Sequence, residues 1–289
     1  MRNKLNKFFR YPLRIIKHFM LLPRYAQRIR LAEATLMQVS EEMRVFKEQH
    51  ARVVNNTIAD NHSLDHFYTQ FEDRFRGGEA DIKDRLVEYV PRFEALTEKN
   101  RKLPILDIGC GRGEFLSLMK DYGFRAIGVD MNQSMVERAN SLGYNAIQDD
   151  AISYLAKRKP SSLSAITGFH IVEHIPFESL VDLFKQCYTC IAPGGFVLFE
   201  TPNPNNVVVG ASSFYMDPSH IKPLPPELLA FAIESAGFRT EIIHLHPTKE
   251  KIAHDDEQVK ELLDIVYGPR DYAVIGYKQA SSSGDKRAS

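Results

Sequence analysis

From Leu103 onward the chain alternates two kinds of segment. Short apolar runs stand at Ile105–Ile108, Ala126–Val129, Asn145–Ile147, Ala165–Phe169 and Phe196–Phe199, and each predicts a buried strand. Between them apolar residues recur at helical spacing near Glu114–Asp121, Gln133–Leu142, Ile152–Lys157 and Phe177–Ile191, which predicts amphipathic helices. A helix at Pro226–Ala236, a strand near Glu241–His244, a helix near Glu257–Val266 and a last strand at Tyr272–Tyr277 follow. Such alternation implies right-handed crossovers and a parallel sheet with helices on both faces.

The first third of the chain is patterned differently. Ile29, Leu36 and Met43 are seven apart, as are Ala32, Val39, Phe46 and Val53. This a/d stripe predicts a coiled coil within residues 25–62 that joins copies of the chain into a homo-oligomer; a long helix folded back on the rest is the alternative. In residues 1–24, Phe8, Phe9, Leu13, Ile16, Phe19 and Met20 can share one side of a helix, with Lys and Arg on the other. That pattern suits a helix lying in a membrane interface. A basic helix packed on its own domain, or an RNA-binding tail, would carry the same charge. Residues 280–289 are Ser-rich and charged, which predicts disorder.

Charge sharpens the picture. The net charge is zero over 289 residues, yet nine basic residues and no acid precede Glu33, so the remainder is nine charges negative. A basic head suits an anionic membrane surface, while the acidic body would repel a polyanion and disfavours nucleic acid. No segment has the ~20 apolar residues of a membrane span, and no cleavage signal follows the apolar run. The expected location is cytoplasmic and peripheral on the inner face of the inner membrane. The cysteines Cys110, Cys187 and Cys190 form no disulfide framework. Cys187 and Cys190 have redox or zinc spacing, but a zinc site needs four ligands. On a core-facing helix they read as small hydrophobes.

The strongest chemical signal is the run Leu106-Asp107-Ile108-Gly109-Cys110-Gly111-Arg112-Gly113-Glu114. A strand, a glycine turn and a helix follow one another at the carboxyl edge of the sheet, where α/β folds bind ligands. Dinucleotide enzymes need a glycine where Glu114 stands. Asp107, closing the strand, suits an ammonium group and would repel a pyrophosphate. Asp130 ends the second strand, placed to accept two ribose hydroxyls, and Asp149 and Asp150 follow the third, near an adenine amine. Each acid alone could be a helix N-cap; the ordered set points to one cation-bearing nucleoside.

These residues carry a resemblance. Over residues ~100–278 the chain resembles class I S-adenosylmethionine-dependent methyltransferases, through "LDIGCGRGEFL", "GVD", "QDDA" and "APGGFVLFETPNP". The resemblance implies an α/β, Rossmann-like seven-stranded sheet of order 3-2-1-4-5-7-6, preceded by the helical extension, with a methyltransferase domain over 63–279. It implies S-adenosylmethionine as cofactor, with Asp107, Gly109 and Gly111 on the methionyl side. Asp130 with Met131 would lie at the ribose, and Asp150 with Ala151 at the adenine. Phe169, at the end of the fourth strand, would also line the cofactor site. Further segments, "FEDRFRGG", "FHIVEHIPFESL", "FYMDPSHIKPLPPELL" and "YGPRDYAVIGYK", resemble methyltransferases associated with bacterial O-antigen and surface polysaccharides. In that likeness Arg76 would close over the cofactor carboxylate.

The acceptor chemistry is expected after the fourth strand, at His170-Ile-Val-Glu173-His174, whose polar members share a helical face. The segment resembles the E-x-x-E-H metal site of ubiquinone-pathway and small-RNA O-methyltransferases, with His170 in place of the first Glu. His220, in Asp217-Pro-Ser-His220, could supply a further ligand. Three readings stay open. His170, Glu173, His174 and His220 hold a divalent metal ion, of Zn²⁺, Mn²⁺ or Fe²⁺ type; or His174 or His220 is a metal-free general base; or Glu173-His174 only caps its turn. The expected function is methylation of a saccharide hydroxyl on a lipid-linked surface polysaccharide, with a glycosyltransferase as possible partner and a role in chain termination. The alternatives are an RNA or small-molecule O-methyltransferase, and an inactive scaffold of the same fold.

Overall fold

The computed structural model describes residues 77–247 and 257–280. The expected membrane-interface helix over 1–24, the coiled coil over 25–62, Arg76 and residues 281–289 of the tail lie outside the described residues. Helix α1 (Glu79–Leu86), a 3₁₀ turn (Val87–Tyr89), α2 (Val90–Glu94) and α3 (Glu98–Arg101) precede the sheet. There follow β1 (Ile105–Ile108), α4 (Glu114–Asp121), β2 (Ala126–Asp130), α5 (Gln133–Ser141), β3 (Ala146–Gln148), α6 (Ala151–Ala156) and β4 (Leu163–Phe169). After a 3₁₀ turn at Val172–His174 come α7 (Phe177–Cys190), β5 (Ile191–Pro202), α8 (Val207–Ala211) and a 3₁₀ turn at Ser213–Met216. The chain closes with α9 (Pro226–Ser235), β6 (Arg239–Pro247), α10 (Glu257–Tyr267) and β7 (Pro269–Tyr277).

The strands form one seven-stranded sheet of order β3-β2-β1-β4-β5-β7-β6. Its first five strands are parallel, and β7 runs antiparallel to both β5 and β6. This is the expected Rossmann-like α/β fold. Alternate residues of each strand point to opposite faces, so Leu106, Ile166, Val197 and Phe199 join one core cluster with α7 and α9 residues. Ile105, Ala165, Phe196 and Leu198 join the other.

The second face is completed by a part of the chain to which sequence reading assigned no helices. Ile82, Leu86, Tyr89, Val90, Phe93 and Leu96 are buried on it. Their spacing of three and four is helical, but Pro91 and the brevity of α1 to α3 break the pattern into pieces that no single window shows.

Several boundaries differ from expectation, and two of them have a clear cause. Helix α7 stops at Cys190, and Ile191, expected in it, opens β5. Pro193 cannot extend a helix, and the Lys278 ammonium donates to the carbonyls of Tyr188 and Ile191 at 2.6 and 2.8 Å, satisfying groups at the helix end. Strand β7 begins at Pro269, three residues early, because it pairs with β5 as far as Pro202↔Asp271 and with β6 as far as Pro247↔Pro269. Cys187 and Cys190 are buried, and burial pushes the Cys187 thiol pKa up, as suits packing cysteines rather than reactive ones. Among the described residues no helix is long and apolar enough to cross a membrane.

Candidate active site

The glycine turn stands at the carboxyl end of β1. Gly109 has φ +68°, a conformation that costs an L-residue strain, and a Cβ there would lie 2.9 Å from Ile171. Gly113, at φ +91°, is the N-cap of α4, and a Cβ there would strike Tyr144. Behind it Arg112 and Glu114 form a nearly buried ion pair at 2.8 Å, so Glu114 holds the first turn of α4 in place.

The four acids behave differently. Asp107 is buried, and its Oδ1 accepts the Thr167 hydroxyl at 2.7 Å. Asp130 accepts the backbone N–H groups of Gly111 and Asn132, each at 2.8 Å, so the acid at the end of β2 clamps the glycine turn. Asp150 is the N-cap of α6 and accepts from Ser153 N at 2.8 Å, and Ala151 opens that helix. Asp149 pairs with Lys157 at 2.7 Å and with the Asp150 N–H; the Lys157 hydrogen bond keeps its pKa low against a slight opposing desolvation. Asp150 is therefore a cap, Asp149 is held by Lys157, and Asp130 and Asp107 are tied to the turn and to the strand beside it. Met131 is 73% exposed. The Phe169 ring lies in the core against Tyr89 and Phe115, with centroids 5.8 and 5.1 Å apart.

Beyond β4 the backbone turns sharply at His170, whose φ is +55°. The 3₁₀ turn then presents Glu173 and His174. The segment carrying His220 is brought over it by the Ile221 N–H, which donates to Glu173 O at 2.9 Å. Glu173 is buried; its Oε2 accepts the Thr201 hydroxyl at 2.8 Å, while Oε1 has no hydrogen-bond partner. His220 Nε2 lies 3.8 Å from that oxygen. Ligand atoms of Glu173, His174 and His220 all fall within 4.8 Å of one another.

His170 does not join that trio. It groups with Glu200 and Asp271, with Nδ1 3.4 Å from Glu173 Oε1 and Nε2 3.5 Å from Glu200 Oε1. Burial disfavours its charge, but the carboxylates of Glu173, Glu200 and Asp271 outweigh that and raise its pKa to about 10. Charged in this way, His170 acts as an ion-pair partner of these carboxylates, and its ring is grouped with Glu200 and Asp271 rather than with the Glu173, His174 and His220 trio. Burial works to raise the Glu173 carboxyl, but His170 beside it holds its pKa below the usual range. Glu200 is further fixed by the Tyr89 hydroxyl, which donates to Oε2 at 2.6 Å.

A pH dependence follows from the raised His170. Its stabilising charge is fully present below the ordinary pKa of 6.5 and is lost as pH rises through about 10, because the folded state holds the proton more tightly than the unfolded chain. Urea unfolding across that window should show falling stability in the native chain. His170→Asn, which tolerates the left-handed backbone, should remove that part of the slope; an unchanged slope would mean that His170 is not charged.

Thr167, Thr201, Glu200, Asp271, Asp217 and Ser219 complete the site and were not singled out from sequence. Only the last two had a signal, the run from Asp217 to His220. Glu200 and Asp271 sit on neighbouring antiparallel strands but far apart in the chain.

A seven-stranded sheet with its sixth strand in chain order at the edge, a glycine turn after β1 and acids after β1 and β2 define a class I, Rossmann-like methyltransferase fold. The family described as "Methyltransferase domain" matches residues 79–243, and the chain belongs to it. A SAM-dependent methyltransferase from Archaeoglobus fulgidus is similar in structure, at 36% identity and TM-score 0.66, over 73% of this chain and 99% of that one. Among curated relatives, a ubiquinone biosynthesis O-methyltransferase of Burkholderia thailandensis is 30% identical over 170 residues, 52% of this chain and 71% of the relative. Its counterpart in Burkholderia multivorans is 32% identical over 108 residues, 35% of this chain and 44% of the relative. The chain thus spans less than half the length of the first curated relatives it matches.

Proposed function

We propose that the chain transfers the methyl group of S-adenosylmethionine to an oxygen acceptor, and that this acceptor is a saccharide hydroxyl of a bacterial surface polysaccharide such as an O-antigen. The observation that carries the reading is the convergence of Glu173, His174 and His220 just past β4, with Ile171 of the same turn packed against Gly109. Methyl transfer from a sulfonium is an in-line displacement, and alignment of the two reactants can supply about 7–11 kcal/mol. A saccharide hydroxyl holds its proton at neutral pH, so a base must take it. His174, which burial keeps below the usual imidazole range and hence neutral, is suited to that task, with His220 beside it. The carboxylates of Glu173, Glu200, Asp217 and Asp271 around the site can hydrogen-bond a polyhydroxylated acceptor and would repel a phosphodiester, which supports glycan over RNA.

The donor set of two imidazoles and a carboxylate also fits a divalent ion of the Zn²⁺, Mn²⁺ or Fe²⁺ type better than Mg²⁺. The buried Glu173 Oε1, which accepts no hydrogen bond, is an atom that such an ion would satisfy. When bound, the ion would lower the pKa of the acceptor hydroxyl.

The names of the curated relatives favour a second reading, an acceptor in ubiquinone biosynthesis. The remaining proposals concern partners: homo-oligomers through residues 25–62, an anionic membrane surface for residues 1–24 at the cytoplasmic side of the inner membrane, and a glycosyltransferase alongside. Methyl-labelled S-adenosylmethionine, offered with lipid-linked glycan, a ubiquinone-pathway extract and total RNA in parallel, tests the reading. Label is expected in the glycan, and a chelator is expected to abolish it if the ion is required. Label only in the ubiquinone-pathway arm would replace the saccharide by the second acceptor. Label in RNA alone, or in no arm despite cofactor binding, would overturn the saccharide reading, and the latter would point to a scaffold.

A further inference from the structure

His174 is held by a chain of hydrogen bonds that fixes which of its nitrogens carries the proton. Ser219 Oγ lies 2.8 Å from His174 Nδ1 and 2.6 Å from Asp217 Oδ1. Asp217 Oδ1 also accepts the Ser219 backbone N–H at 2.8 Å, so this loop closes on itself under the imidazole. A serine hydroxyl has one proton to give, and a carboxylate can only accept. If Ser219 donated to His174, two lone pairs would face each other across the 2.6 Å gap to Asp217. If Ser219 donates to Asp217 and Nδ1 is bare, the same conflict arises across the 2.8 Å gap to His174. One arrangement satisfies both contacts: Ser219 donates to Asp217 and accepts from an Nδ1–H of His174.

Resting on the reading that His174 receives the acceptor's proton, we propose that Ser219 and Asp217 are positioning residues that hold His174 in its Nδ1–H tautomer, so that Nε2 presents its lone pair to the acceptor. His220 meets an equivalent constraint from the backbone. Its Nδ1 lies 2.5 Å from the carbonyl of Phe214, which can only accept, so a proton on Nδ1 is fixed there too, and Nε2 faces Glu173 Oε1 at 3.8 Å. The two rings meet edge to face at 4.6 Å between centroids. The charged groups facing His174 are Glu173 on its own turn, Asp217 and His220 on the covering loop, and His170 behind. The wrong tautomer would place a proton on Nε2 and remove the base without moving an atom of the ring, which is why an apparently remote serine matters to the transfer.

The test is long-range ¹H–¹⁵N NMR of the full chain labelled at histidine nitrogen, at neutral pH, with the His174 signals identified by their absence in His174→Asn. The native chain should show the Nδ1–H pattern at His174. Ser219→Ala should convert most of the population to Nε2–H, the form a free imidazole prefers, and Ser219→Thr should restore the native pattern. Asp217→Asn keeps an oxygen that can accept both the Ser219 N–H and its hydroxyl, so it should keep the Nδ1–H pattern and the loop's shape. Binding of S-adenosylmethionine, measured by titration calorimetry, should be the same in all four proteins. An Nε2–H pattern in the native chain, or an Nδ1–H pattern that survives Ser219→Ala, would overturn the proposal. These outcomes separate from failure of the underlying reading, which would show as undiminished methyl transfer in a chain lacking the His174 imidazole.

Discussion

Replacing His174 with alanine is expected to slow methyl transfer by about 10²–10⁴-fold, the range for loss of a positioned base, while S-adenosylmethionine binding stays at the native level. The separation arises because the glycine turn and Asp130 bind to one another, through Gly111 N to Asp130 Oδ2 at 2.8 Å, and none of those contacts passes through His174. The loss corresponds to about 3–5 kcal/mol of transition-state stabilisation and should appear in kcat, with KM nearly unchanged, as for a group that acts only in the transition state. His220→Ala discriminates further. If His174 is the base alone, His220→Ala should be the milder of the two, since its Nε2 faces Glu173 rather than open site. Equal losses, each deepened by chelator, would indicate that both nitrogens serve one ion. A His174→Ala chain that transfers methyl at the native rate would leave the Glu173-His174 pair as a turn cap and no more.

The sheet was legible because its central strands are buried on both faces. Leu106, Ile166 and Val197 sit in short, mostly apolar runs, and the helices between them show three- and four-residue spacing. The turn at Gly109 to Gly113 was legible because glycine is placed there by geometry that few residues can adopt. The pairing within the site was not. His170, Glu173 and His174 share one short segment, and spacing alone suggested a common ligand set. The left-handed turn at His170 instead sends its ring towards Glu200 on β5 and Asp271 on β7, and strand order in a sheet cannot be read from local pattern. The same limit hid Ser219. Its sequence position beside His220 was visible, but its role depends on the loop being folded back and tied to Glu173 O by the Ile221 N–H. Phe169 shows the converse: it ends β4 at the ligand-binding edge of the sheet, and its ring is drawn into an aromatic cluster with Tyr89 and Phe115, a contact that local pattern does not show.

That cluster is also where stability is most exposed to a single change. Phe93 is fully buried and meets Phe115, Phe124 and Phe196 at centroid distances of 5.6, 6.1 and 5.0 Å. It thereby joins α2 to α4 and to the central strand β5. Phe93→Ala removes that ring and leaves a cavity walled by three others, and a loss of about 3–5 kcal/mol is expected, or about 10 °C in melting temperature for a domain of this size. Phe93→Leu, which keeps most of the volume, should cost less than half as much. The effect should also reach the site. Tyr89, four residues earlier and on the same buried face, donates to Glu200 at 2.6 Å, and Glu200 is one of the carboxylates that hold His170 charged. Loosening α2 should therefore lower the pKa of His170 as well as the melting temperature, while Tyr89→Phe should lower the pKa with little change in melting. A Phe93→Ala chain that melts within a degree or two of the native would mean that residues 79–101 merely rest on the sheet, and that the second core face is closed by something else.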